Sequence, residues 1–325
     1  MGRDESQPVG EVIPAASPIA DDPAFDRLVR AEAPLVRLAT GAIWAEGPVW
    51  LPADGSVLWS DIPNDRVLRW HPDGTNETFL EPAEYENGHT LDLDGSVLAC
   101  SHGRRRVERL ALDGTVTAVV ERYRGARLNS PNDLVVRSDG TIWFTDPPFG
   151  IISDWEGHRA DSEIGDSLVF RFDPATGELD VVSDWVEAPN GLAFSPDESI
   201  LYVADTASAL PDGGDANHHI VAFDVIDGRR LADPRVFYVV DGGFPDGFRV
   251  DVEGNVWTSA HDGIHVVTPD GRRLGRIPIP EPTSNLVFGG PDGDRLFITA
   301  SSSLYAIDVA TRGAIEAPSL RQRRA

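Results

Sequence analysis

AEGPVWLPADGSVLWSDIPNDRVLRWHPDGTNETFL at residues 45–80 and FPDGFRVDVEGNVWTSAHDGIHVVTPDGRRLGRIPI at residues 244–279 are two copies of one pattern. Each opens on an acidic residue followed by glycine and then runs through short β-rich stretches separated by Gly-containing turns. The pairs Asp54-Gly55 and Asp73-Gly74 suit the two-residue hairpins that right-twisted antiparallel strands prefer. Shorter versions of the opening return as ENGHTL, SPNDLVV, APNGLAF and TSNLVF. One polar residue marks each of the six: Glu46, Asn87, Asn132, Asn190, Asp246 and Asn285, spaced 41, 45, 58, 56 and 39 residues apart. That period is one four-stranded blade plus loop insertions, and the reading is all-β, a six-bladed β-propeller. A solenoid would keep its repeats more uniform.

The boundaries follow from the repeat. Residues 1–22 are rich in Pro, Ala and Asp and are expected to form a disordered tail. The propeller is expected over 23–311, with a strand near 35–38 completing the last blade, because the sixth repeat is short. Residues 312–325 carry no β pattern and read as a C-terminal tail. The third and fourth repeats hold long insertions, 151–166 and 207–217, which should rim one face.

Composition narrows the function. With 325 residues and 41% hydrophobic content the chain can bury a large core, and no apolar run approaches a membrane helix. The first residues lack the basic and apolar segments of a secretory leader, and the single Cys100 suits a reducing, cytoplasmic setting. In VLACSHG it reads as a small buried hydrophobe. A formal net charge of −25 argues against nucleic acid as a partner. Arg104-Arg105-Arg106 is the local exception, either a solvated hairpin edge or an anion patch.

In a propeller the first strand of each blade lines the central tunnel, so equivalent positions form a ring. Two carboxylates and four amides around one axis make an oxygen-rich cation site, with no sulfur and no required imidazole. Calcium fits best; Mg would demand stricter geometry, and Zn or Mn are further possibilities. Glu46 and Asp246 would neutralise a divalent ion, which removes the cost of burying them unpaired. Taken singly, Asn87, Asn190 or Asp246 could each be no more than a turn former, since Asn-Gly and Asp-Gly favour turns. The signal is their shared position.

Other motifs are weaker. Residues 90–95 resemble half of an EF-hand loop, but Ser101 stands where a bidentate Glu is needed. His218-His219 has no spaced Cys or His partner for zinc, and no nucleophile elbow, HExxH or phosphate loop is present. His89 and His102, in the second repeat, could each face the mouth and touch a substrate, as could Asn87.

The words around the ring resemble the senescence-marker-protein/gluconolactonase/luciferin-regenerating family. They are AEGPVW, NSPNDLVVRSDGTIWFTDPPFGI, PNGLAFSPDE and PDGFRVD in order, and NGHTLDLDG and CSHGRRRVERL look like its bacterial gluconolactonase branch. The resemblance covers about residues 22–308. It implies a six-bladed propeller with calcium or a related divalent ion in the central tunnel, held by Glu46, Asn190 and Asp246. It adds Asn132 as a direct or water-mediated ligand that also touches substrate, and Asp246 as general base. Where some animal members carry a sugar-binding Arg two residues before that Asn, this chain has Ser130. Arg127 is near but not equivalent.

The implied activity is a metal-dependent lactonase acting on an aldonolactone such as glucono-1,5-lactone, with a small-molecule partner and neither nucleic acid nor membrane. Two alternatives stand beside it: a phosphotriesterase-like hydrolase on the same ion, and a non-catalytic scaffold with calcium as a structural plug.

All 28 basic residues are Arg, and Asp and Glu together number 53. Such a surface repels itself at low salt and is relieved by screening. Melting curves recorded from low to molar salt should therefore shift upward, as for a protein of a salt-rich cytoplasm; flat or falling curves would oppose that reading.

Overall fold

The computed structural model describes residues 10–14 and 17–314. Six antiparallel sheets each hold four consecutive strands, apart from the closing blade, and together they form a six-bladed β-propeller. Blade one runs Ala45–Leu51, Ser56–Asp61, Arg66–Trp70, Asn76–Leu80 from axis to rim. The inner strands of blades two to six are Glu86–Leu91, Leu134–Val136, Pro189–Phe194, Phe248–Val250 and Thr283–Gly289.

Blade six joins both ends of the chain. Val36–Thr40 pairs antiparallel with Ser303–Asp308, so an N-terminal strand supplies the outer strand of the last blade. Glu11–Val12 then pairs with Val36–Thr40 as a fifth strand, and Ile19–Ala20 adds a fifth strand to blade five beside Arg273–Pro278. The expectation of a disordered tail over 1–22 is thereby corrected for these residues. Two exposed blade edges offered unpaired backbone, and the leading segment covers both. Arg37 with Glu11, Arg272 with Asp22 and Arg273 with Asp21 (2.6 Å) tie it down. Residues 1–9 and the end of the expected C-terminal tail, 315–325, lie outside the described residues. The start of that tail departs from the expectation: Val252 N donates to Arg312 O and Ala314 N to Val250 O, along the inner strand of blade five.

Blades bury their faces against each other, not in a common centre. Trp59 packs with Phe297 and Ala306 across the seam of blades six and one. Phe144 and Phe170 stack at 5.2 Å, and Trp143 meets Phe194 edge-on at 5.4 Å. Cys100 is fully buried among Leu98, Val107 and Leu134, an apolar filler. The arginine triplet is structural: Arg104 and Arg106 pair with buried Glu108, while buried Arg105 donates to the Leu128 and Asn129 carbonyls. It is no anion patch. Among the described residues no helix is long and apolar enough to cross a membrane.

The short helical turn Pro23–Arg27 begins at Asp22, whose carboxylate accepts from Ala24 N at 2.8 Å. It drives Phe25 between blades five and six, 1% exposed, beside Trp257, Ile277 and Tyr305. Phe25→Ala should cost about 3–5 kcal/mol, read from the denaturant midpoint at unchanged slope. A loss under about 1 kcal/mol would mean that the strap contributes no core.

Candidate functional site

Around the axis the inner strands approach too closely for ordinary side chains. A Cβ on Gly47 would lie 1.9 Å from Asn87 O, and one on Gly191 would lie 2.2 Å from Asp246 O. The same holds for Gly88 against Asn132 O at 2.6 Å and Gly247 against the Asn285 amide at 2.0 Å. Each glycine follows a ring residue and receives the next blade's ring residue. Gly47 alone of the four also has positive φ, +48°, which an L side chain rarely adopts.

A β-bulge at the same level re-aims the ring residue. Pairing with the second strand shifts between Glu46 and Val49, between Glu86 and His89, between Pro189 and Leu192 and between Thr283 and Asn285. Hydroxyls of the preceding blade hold the inner backbone at this level. Ser60 Oγ donates to Asn87 O at 2.9 Å, Thr145 Oγ1 to Asn190 O at 2.8 Å and Thr206 Oγ1 to Pro245 O at 2.8 Å. Buried Asp146 and Asp205 accept from Asn129 N (2.8 Å) and Ala188 N (3.1 Å), fixing the approach to two ring positions.

Five of the six ring side chains, Glu46, Asn87, Asn132, Asn190 and Asp246, line one cavity of about 240 Å³. Both long insertions reach its rim, through Trp155 and Glu156 from one and Ala209 from the other. The floor is polar; Trp44, Phe149, Trp155 and Phe244 wall the mouth. Asn285 sits one layer back. Its amide donates to Glu46 Oε2 at 3.0 Å, while its Oδ1 accepts from Leu286 N, so it braces Glu46 and offers the cavity nothing.

Neither histidine lines the cavity. His89 is fully buried, with Nδ1 against Gly47 O at 2.8 Å and Nε2 against Glu86 Oε2 at 3.1 Å. Both ring nitrogens are engaged, which leaves no atom for a substrate. His102 Nδ1 donates to Glu156 O at 2.9 Å, and burial pushes its pKa down to about 4, so the ring is neutral and Nε2 accepts from Asn87 Nδ2 at 3.3 Å. His102 thus fixes the Asn87 amide with its oxygen free of a protein donor.

Three residues, the buried Asp133 and the partly exposed Arg249 and Glu156, escaped the sequence reading. Asp133 occupies the place that glycine holds after Glu46, Asn87, Asn190 and Asp246, and Arg249 approaches it at 3.6 Å beneath the floor. An acidic residue breaking an otherwise glycine-marked register was the available signal. Glu156 lies within an insertion that no repeat predicts.

Burial raises the pKa of each acidic side chain that lines the cavity. Burial pushes Glu46 up to about 7, against the Gly47 N–H and Asn285 amide that hold it down. Asp246 is pushed well above the usual carboxylate range by burial, then by the charge of Glu46, which lies within hydrogen-bonding reach. Burial also lifts Glu156 to about 7. Among the described residues no three His, Cys, Asp or Glu side chains form a metal cage. The donor set is instead two adjoining carboxylates with the amide oxygens of Asn87, Asn132 and Asn190, which fits a hard divalent ion.

Fold and site define a six-bladed propeller with an oxygen-rich mouth. The SMP-30/Gluconolactonase/LRE-like region matches residues 44–302, and the chain belongs to that family. It is 33% identical to a gluconolactonase of Zymomonas mobilis over 313 residues, covering 90% of this chain and 85% of that one. A solved gluconolactonase from Xanthomonas campestris superposes with a TM-score of 0.86 at 40% identity, covering 94% of this chain and all of the other. Regucalcin from Agrobacterium tumefaciens, described as a calcium-binding protein, shares the fold at 20% identity, with a TM-score of 0.68 over 85% of this chain and 94% of that one.

Gly47→Ala should lower stability by more than about 1 kcal/mol and weaken divalent-metal binding by calorimetry, because the clash displaces Asn87. Gly95 also has positive φ (+86°) but open space around it. Gly95→Ala should carry the backbone strain alone and keep the metal affinity. Equal metal binding in both variants would refute the crowding argument.

Proposed function

We propose that the protein is a divalent-metal-dependent lactonase that opens a sugar lactone, most simply glucono-1,5-lactone, to the aldonic acid. The family and the gluconolactonase relatives support lactone hydrolysis. The observation that carries the metal is the pair Glu46 and Asp246, buried side by side with no cationic side chain lining their cavity. Glu46, Asn190 and Asp246 would hold the ion, with Asn132 beside them. Calcium best suits so irregular an oxygen set, ahead of Zn, Mn or Mg.

When bound, the ion supplies Lewis-acid polarisation of a carbonyl oxygen. The side chains do the rest. Asn132 and Asn87 present polar groups that can orient the lactone at the cavity floor. Asp246, its basicity raised by burial, takes a proton from the water whose oxygen attacks the carbonyl carbon. The ring C–O bond then breaks, its electron pair stays on the leaving oxygen, and that oxygen takes up a proton to give the hydroxy acid. The aromatic rim limits bulk water around the reacting atoms. The lone buried Cys100 suits a cytoplasmic setting.

Asp246→Asn should lower kcat by roughly 10²–10⁴-fold, the scale of a positioned base. Glu46→Gln should chiefly weaken metal binding in a calorimetric titration. A lactone panel run after metal stripping and readdition, with the unaided opening of gluconolactone subtracted, decides the function. Activity that survives stripping, or wild-type turnover by Asp246→Asn, would refute the reading. Hydrolysis of an organophosphate in preference to every lactone would favour the phosphotriesterase alternative.

A further inference from the structure

Beneath the cavity floor lies a pair of opposite charges that the ring does not require. Asp133 comes just ahead of the inner strand of blade three, and Arg249 lies within that of blade five, so their contact skips a blade and crosses the tunnel. Arg249 Nη1 stands 3.6 Å from Asp133 Oδ2, too far for a hydrogen bond but close enough for a strong charge interaction. Neither residue lines the cavity itself.

Asp133 is fixed in that place. It is 1% exposed; its N–H donates to Thr145 Oγ1 at 3.2 Å, and its carbonyl accepts from Thr145 N at 3.1 Å. Oδ1 accepts from Leu134 N at 2.8 Å, and a Cβ on Gly88 would come 2.7 Å from the same oxygen. Oδ2 is buried without a well-formed hydrogen bond. A carboxylate kept this dry stays ionised only with help from cations or donors. Burial pushes its pKa up, and Arg249 is foremost among the groups that hold it down, ahead of the Leu134 N–H and the Asn285 amide. Arg249 is tethered in turn, with Nη1 donating to Phe248 O at 2.8 Å.

The pair is near enough to the ring carboxylates to act on them from below. The charge of Asp133 is felt at both Glu46 and Asp246 and helps to raise the pKa of each. Asn285 joins the two layers: its amide donates to Glu46 and also favours the ionised form of Asp133. Of the six residues that follow the ring positions, four are glycine and one is leucine, so Asp133 brings the only charge to that layer. The potential at the mouth is thus set by three buried carboxylates and one guanidinium beneath them.

We propose that Asp133 and Arg249 are an electrostatic counterweight under the floor, whose opposed charges set how tightly the ring holds a divalent cation. This rests on the metal-dependent reading above and deepens it. They are positioning residues, since they act on the ion only through Glu46 and Asp246. Asp133 adds a third negative charge that favours the cation. Arg249 takes back part of that attraction and lets the folded chain tolerate three buried carboxylates before an ion arrives. Their effects on affinity therefore carry opposite signs. A merely structural contact behaves otherwise, because breaking it from either end loosens the site alike.

The test is a calorimetric titration of the metal-stripped full chain with calcium at pH 8, without substrate. Arg249→Gln should tighten calcium binding about 10-fold and Asp133→Asn should weaken it about 10-fold, the scale of one unit charge acting on a divalent ion through protein. The double variant should return to within about threefold of wild type, and Arg249→Lys, which keeps the charge, should stay near wild type. Without calcium the melting temperature of Arg249→Gln should fall, and calcium should raise it by more than it raises wild type. Weaker binding in both single variants, losses that add in the double variant, or the same change in Arg249→Lys as in Arg249→Gln would each overturn the proposal and leave the lactonase reading intact. Should Asp133→Asn fail to fold, the two Arg249 variants still decide by the sign of one and the silence of the other. A wild type that binds calcium but opens no lactone would sink the lactonase reading alone; one that binds none of Ca, Mg, Mn and Zn would sink both.

Discussion

The inner strands of this propeller are forced together at one level, and the site exists because of that crowding. A four-residue set of glycine shims lets each blade seat its neighbour's backbone where a methyl group would collide. Bulges at the same height break the strand ladder, so ring side chains turn toward the axis instead of alternating in and out. Hydroxyls from adjacent blades then hold the inner backbone at that height. Removing water from two carboxylates is unfavourable; the Gly47 N–H and the Asn285 amide offset part of that at Glu46, and an ion of charge two in the proposed site would offset the rest. On the proposed function, stability and metal affinity would be linked at the mouth, because a metal that binds only the folded chain adds to its stability by mass action.

The fold was legible because propeller blades repeat and because their turns are chemically marked. Asp-Gly pairs, the six-fold recurrence and the closing strand near 35–38 all followed from local rules that agree with the global structure. The leading segment was misjudged for a different reason. EVIPAASPIADDP has little apolar surface of its own, and its described residues are held by two blade edges far away in sequence and by arginines on those blades. Composition describes a segment's own driving force and says nothing of an edge waiting to be covered.

In the site, five of six ring positions were readable and the sixth was placed one layer too close. Asn285 satisfies the pattern, yet Leu286 stands where glycine follows four of the other five ring residues, and the Asn285 amide turns to Glu46. Asp133 was hidden by the same logic in reverse, as a charged residue in a glycine position whose partner, Arg249, lies in a distant blade. Pairings across blades carry no sequence signature.

The histidines show how a single inserted residue redirects a side chain. His89 lies two residues beyond Asn87, and in a regular strand the two would share a face. The bulge between Glu86 and His89 removes that alternation, so Asn87 reaches the cavity while His89 turns behind Gly47 and joins Glu86. Glu86 in turn adds its charge to Glu108, which burial chiefly lifts to about 7 and which Arg104 and Arg106 approach from the surface. A polar column thus runs from the rim of blade two to the carbonyl of the most constrained glycine on the axis. The same bulge that withdraws His89 from substrate makes it a brace, holding Gly47 in the backbone conformation on which Glu46 and Asn87 both depend.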